Sequence, residues 1–173
     1  MGKTYIYDEV ERLVRKCKTR NPFDILSALN VVVMESNAYQ KLKGYCFSAN
    51  RTIYVIINDS LHPAEKNIVA AHELAHIILH RKMLQLAPLK DNILYDMKSE
   101  TEYEANLFAA DLLITDNVIR DMSKGEDIDY FRMCQTLSVS PDLMNFKLFS
   151  LIKRGYAYPM PLNMDSKFLR KEK

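Results

Sequence analysis

The segment His72-Glu73-Leu74-Ala75-His76 sets two imidazoles four residues apart, with a carboxylate directly after the first. On a helix, four residues is slightly more than one turn, so both rings leave the same face about 6 Å apart along the axis and can converge on one ion. Glu73 leaves in another direction, offset from the ligand pair. It is suited to take a proton from an attacking water whose acidity a zinc ion raises to near neutral pH. That division of roles is the chemistry of a zinc hydrolase, with His72 and His76 as ligands and Glu73 as general base. The flanking Ile68, Val69, Ala70, Leu74, Ala75, Ile77 and Ile78 make the helix apolar enough to be buried. Histidines in a buried helix need partners.

A catalytic zinc site takes a third protein ligand. His62, the one histidine outside this helix, lies upstream of the pair, so a downstream carboxylate is the better source. Glu100, Glu102 and Glu104 all precede an apolar stripe through Ala105, Phe108, Ala109 and Leu112. At 100° per residue, Glu104 falls on the edge of that stripe and Glu102 points away from it. Glu104 is therefore the expected third ligand, and Glu100, one turn earlier, the second choice or a supporting group. Small residues at Ala71, Ala75, Ala105 and Ala109 would let the two helices approach closely. His80 continues the four-residue series, but its backbone is about 12 Å along the axis from His72. It is expected to be structural, favoured in a last helical turn by the exposed carbonyls there.

These groups must be held by surrounding elements, and the sequence predicts them. A three-and-four apolar spacing from Tyr5 to Cys17 predicts an amphipathic helix, and Phe23–Leu29 a short one. Val31–Met34 reads as a buried strand, and Gly44–Ser48 with Thr52–Ile57 as two strands joined by a short turn. Pro63 opens the active-site helix, which runs to about His80 or Arg81. A loosely patterned connector covers Lys82–Lys98. Ser99 caps a helix reaching about Ile114, Thr115 or Asp116 caps the next, and Ile128–Arg154 holds two helices parted near Pro141. The expected fold class is α+β, mostly helical, with a small antiparallel or mixed sheet beside the active-site helix and a C-terminal helical section. Residues 1–120 would form the peptidase core, 121–158 a helical subdomain, and 159–173 a loose basic tail.

Composition narrows the class. Apolar residues are 48% and charged residues 27% of the chain, as in ordinary globular proteins, and the net charge of +2 gives no basic footprint for nucleic acid. No run of about 18 apolar residues exists and the start lacks a signal-peptide core, so a cytoplasmic protein is expected. Cys17, Cys46 and Cys134 lack the short spacing of a metal site, and an odd, scattered set fits reduced thiols.

The His72–His76 motif followed by Glu104-Ala105-Asn106-Leu107-Phe108-Ala109-Ala110-Asp111-Leu112-Leu113 resembles the ImmA/IrrE family of metallopeptidases. The resemblance is close over about residues 53–114. It departs after Leu113, where Ile114-Thr115 stand in place of the Met-Pro of many relatives. It implies a zincin-like core, a bound Zn2+ with the residue at Glu104 as third ligand, and an intracellular peptidase. It further implies a protein partner, a helix-turn-helix transcriptional repressor that is cleaved to induce phage, mobile-element or stress genes.

Two other classes compete. Residues 130–145 have helix-turn-helix spacing, which would make the chain a DNA-binding regulator. Yet the second helix opens on Pro141 and Asp142 and carries few bases before Lys147, a poor surface for phosphates. A metal-binding regulator without hydrolysis is the other, and Glu73 argues against it, since an inert site needs no general base. Strand 52–57 could present an edge to an extended substrate, but a plain core strand is the better reading. Among Tyr45, Tyr54, Tyr103 and Tyr156, none is singled out as a carbonyl-polarising group.

Overall fold

Ile6, Val10 and Leu13 fall on one face of the first helix, α1 (Thr4–Cys17), and all three are buried. In a computed structural model of the chain, residues 4–38, 42–84, 89–91, 99–124 and 130–158 are described. Asn21 ends the interruption after α1 by accepting the amide hydrogens of Phe23 and Asp24, which starts α2 (Pro22–Ala28) with proline at its first position. Strands β1 (Val32–Ser36), β2 (Gly44–Ala49) and β3 (Thr52–Asn58) follow. The active-site helix α3 (Pro63–Leu79) is capped by His62, whose Nδ1 accepts the Ala64 amide hydrogen at 3.3 Å. A single-turn helix α4 (Arg81–Leu84) and a short strand β4 (Leu89–Asp91) occupy part of the expected connector. Then come α5 (Glu100–Leu113), α6 (Asp116–Met122), α7 (Tyr130–Leu137) and α8 (Pro141–Lys153). Ser99, Thr115 and Ser140 cap α5, α6 and α8 through their hydroxyl oxygens. The chain is a mostly helical α+β protein.

The sheet is mixed, in the order β1-β3-β2-β4, with β1 parallel to β3 and the other pairs antiparallel. Ala49 pairs with Thr52, so the β2–β3 turn is the two residues Asn50 and Arg51, both at positive φ. Such a turn matches the twist of the strands it joins. β3 is central and paired on both sides, a core strand with no edge for a substrate. One expectation is corrected here. β1 is an edge strand rather than a buried one, with Val32 and Met34 exposed. Its β-branched residues mark a strand without saying where in the sheet it lies.

α3 lies between the sheet and α5. Val55 and Ile57 of β3 and Cys46 of β2 are buried in the same apolar cluster as Val69, Leu74 and Ile77 of α3. Ala70, Ala71 and Ala75 on α3, with Ala105, Ala109 and Ala110 on α5, are all essentially inaccessible. Short side chains let the two backbones come close enough for polar groups on both to meet. The segment expected as a separate helical subdomain contributes α8, whose Leu143, Met144 and Leu151 belong to the core cluster that also holds Ile6 of α1 and Phe108 of α5. Among the described residues, no helix is long and apolar enough to cross a membrane. The expected loose tail, 159–173, lies outside the described residues.

Candidate metal centre

His72 and His76 lie one turn apart on the buried middle of α3, with ring centroids 4.9 Å apart and planes at 74°. Their Nε2 atoms are 3.2 Å apart. The carboxylate of Glu102, in the first turn of α5, joins them, with Oε2 at 3.1 Å from His72 Nε2 and Oε1 at 3.5 Å from His76 Nε2. Among the described residues, His72, His76 and Glu102 are the one group of three or more potential ligands drawn together tightly enough to hold an ion.

Here the structure departs from the expected ligand set. Glu104 does not meet the imidazole pair. Its Oε2 lies 3.0 Å from His80 Nε2, and its Oε1 accepts a hydrogen bond from the Tyr5 hydroxyl at 2.6 Å. Glu100 is exposed at the helix start. The stripe does not decide among the glutamates because α5 is buried on most of its circumference from Ala105 to Leu112, including Asn106 and Asp111. A helix enclosed on several sides has no single inward face. The signal that could have found Glu102 is Asn106, an amide set in an apolar helix four residues further on. Both sit on one line of α5 and bracket the His72 ring, Asn106 Oδ1 at 3.0 Å from Nδ1 and Glu102 at Nε2.

Protonation follows from the partners. An amide oxygen only accepts, so His72 Nδ1 donates to Asn106. Glu104 likewise accepts from His80 Nε2. Burial pushes His80 below the usual imidazole range, against the opposing pull of the Glu104 hydrogen bond. His76 Nδ1 lies 2.9 Å from His80 Nδ1, so one of these two atoms donates to the other. The Nε2 atoms of His72 and His76 and the Glu102 carboxylate thus face one another in a largely buried site. Ligands about 2.05 Å from a tetrahedral zinc are separated by about 3.3 Å, close to the 3.2 Å between the two Nε2 atoms, and one oxygen of Glu102 lies 3.1 Å from His72 Nε2 and the other 3.5 Å from His76 Nε2. The donor set fits a borderline divalent metal.

Glu73 is fully buried, and its carboxylate lies against Gly44 of β2. A Cβ at residue 44 would stand 2.4 Å from Val69 Cγ1 and 3.3 Å from Glu73 Oε1. Only glycine lets the strand pass this close to the helix. Of the four tyrosines considered, Tyr103 packs its ring against Phe146 and Phe149 of α8, and Tyr45 and Tyr54 stack on Phe47 across β2 and β3. Tyr5, which sequence reasoning did not single out, reaches Glu104 from α1.

With this arrangement established, comparison with known proteins assigns the chain. The sequence profile of Peptidase M78, described as the IrrE N-terminal-like domain, matches residues 26–149. The chain belongs to this family. It is 34% identical over 123 residues, 71% of this chain and 77% of the relative, to "Uncharacterized immunity region protein 2" of Bacillus phage phi105. It is 23% identical over 116 residues, 67% of each chain, to "Metallopeptidase ImmA" of Bacillus subtilis (strain 168). The stretch that matches Peptidase M78 contains His72, Glu73, His76, His80, Glu102 and Glu104, whereas Tyr5 lies before it. Family membership accords with a metal-binding peptidase scaffold and with the His-His-Glu cluster found here.

Proposed function

We propose that this chain is a zinc-dependent endopeptidase in which His72, His76 and Glu102 hold the metal and Glu73 is the general base. The observation that carries the reading is the convergence of His72 Nε2, His76 Nε2 and the Glu102 carboxylate, with the two Nε2 atoms at the edge length of a zinc tetrahedron. A bound zinc ion supplies Lewis acidity toward a scissile carbonyl and toward water. The protein does the rest. Asn106 and His80 hold the two imidazoles through their Nδ1 atoms, so no reorganisation is needed to present Nε2. Glu73 sits one residue beyond His72 in a site shielded from solvent. It accepts the proton of the attacking water and passes it to the departing amine nitrogen.

The substrate we propose is a helix-turn-helix repressor in the same cytoplasm. The immunity-region name of the phage relative and the metallopeptidase name of the bacterial one support a peptidase acting in control of phage or mobile-element genes. The competing DNA-binding reading is disfavoured by α8. Leu143, Met144, Phe146, Lys147, Leu148, Phe149, Ser150 and Leu151 are all buried, so this helix has no face to lay in a groove. The test is co-expression with any helix-turn-helix repressor found encoded beside this gene. Wild-type chain should cleave it, while Glu73→Gln should keep one zinc per chain and leave the repressor intact. Cleavage by Glu73→Gln at the wild-type rate would refute the mechanism.

A further inference from the structure

The zinc reading uses His80 as the anchor of His76 but leaves Glu104 and Tyr5 without a task, although the structure joins them to His80 in a line. His76 Nδ1 meets His80 Nδ1 at 2.9 Å, His80 Nε2 meets Glu104 Oε2 at 3.0 Å, and the Tyr5 hydroxyl meets Glu104 Oε1 at 2.6 Å. The first two groups are buried, and the side chain of Glu104 is only 15% exposed. Three elements contribute, the end of α3, the first turns of α5 and the start of α1. His80 caps α3, its amide donating to His76 O at 2.9 Å, so its ring is carried at a fixed distance from the ring it must meet.

The Tyr5 hydroxyl and His80 Nε2 each donate to one oxygen of Glu104, because a carboxylate has no hydrogen to give. With the His80 Nδ1 lone pair as acceptor, His76 Nδ1 donates, and that order directs the His76 Nε2 lone pair to the metal side. A carboxylate at the end of such a chain also draws electron density toward the ligand imidazole, raising its basicity.

We propose that His80, Glu104 and Tyr5 form a hydrogen-bonded relay that holds His76 as a ligand, so that they act on the metal centre as positioning residues. Glu104 thereby serves the metal from two residues away. Tyr5 makes α1, which precedes the matched family region, part of the metal-binding unit. His72 has a separate anchor in Asn106, so the two imidazoles are held independently.

This inference rests on His72, His76 and Glu102 being the ligands. The experiment is zinc affinity of the full chain, measured by competition with a chromophoric chelator, for wild type, His80→Ala, Glu104→Ala and their double variant. Circular dichroism of the metal-free proteins checks that each is folded. Loss of such an outer partner costs roughly 10- to 100-fold in metal affinity. His80→Ala should weaken zinc binding by about that factor, and Glu104→Ala by less. The double variant should be no weaker than His80→Ala alone, because residues in series share one effect. Cobalt(II) in Glu104→Ala should keep the visible absorption of a four-coordinate site. His80→Gln, whose amide both accepts and donates, should recover part of the loss. Tyr5→Phe, which removes a single hydroxyl, should cost about two- to fivefold and gives a readout even if His80→Ala fails to fold.

Unchanged affinity in both His80→Ala and Glu104→Ala, or losses that simply add in the double variant, would overturn the relay while leaving the zinc site standing. Abolition of cobalt binding by Glu104→Ala would also overturn it, by making Glu104 a direct ligand. A wild-type chain that takes up no zinc would instead remove the reading on which the relay rests.

Discussion

At the level of single residues, the meeting of His72 and His76 was legible from type and spacing alone, because HExxH geometry is set by the pitch of one helix. Which carboxylate joins them was not. Choosing among Glu100, Glu102 and Glu104 required knowing which face of α5 meets α3, and the apolar stripe is ambiguous on a helix buried nearly all round. Asn106 held the answer, since a buried amide must have a partner and the line through it carries Glu102. Gly44 was invisible for a different reason, as its role exists only through the approach of β2 to α3. Gly44→Ala would drive a methyl group into Val69 and toward the Glu73 carboxylate. Overpacking of this kind costs about 1–3 kcal/mol. The expected outcome is a lower melting temperature and a reduced kcat with zinc content unchanged. A variant with wild-type stability and turnover would show that the contact does not constrain Glu73.

At the level of elements, α5, α6, α8 and α1 are tied by a buried ionic network. Lys147, wholly inaccessible, reaches Asp111 at 2.8 Å and Asp116 at 2.6 Å, and Ser150 donates to Asp111 at 2.6 Å. Arg154 holds Asp116 at 2.5 and 2.9 Å and lies 3.6 Å over the Tyr7 ring. Arg20 donates to the carbonyls of Asp111 and Leu112, satisfying the open end of α5. Removing one partner of a buried pair strands the other, at about 3–5 kcal/mol. Lys147→Ala should therefore lower unfolding stability by that amount in urea titration, and a loss below about 1 kcal/mol would mean the network is not a determinant of the fold. The pH dependence has a definite sign. Burial alone would raise Asp116, but Arg154 and Lys147 overcome it and hold the carboxyl well below the usual range. A depressed native value gives stability that is present above the unfolded value of about 3.9 and lost as pH falls below it. The melting-temperature gap between wild type and Asp116→Asn should thus be steady from pH 7 to 5 and close below about pH 4. A gap that does not change on acidification would contradict the ion-pair account.

At the level of the whole molecule, most elements could be read from the chain because their ends carry local chemistry. Ser99 and Thr115 cap helices where the sequence says they should, and Asn21 and Ser140 cap two more. What could not be read depends on assembly. The position of β1 at an edge, the central place of β3, and β4 within a stretch without clear periodicity are set by pairing partners distant in sequence. The inclusion of α8 in the main core is likewise set by what α5 and α1 offer it. The assembled fold brings α3 and the first turns of α5 together at the point where a metal is proposed to sit. A zinc-edge anomalous difference map from crystals of the full chain tests that placement most directly. The prediction is one peak about 2.0–2.2 Å from His72 Nε2, His76 Nε2 and a Glu102 oxygen. No peak at these atoms, or one bonded to Glu104 and His80 in their stead, would contradict it.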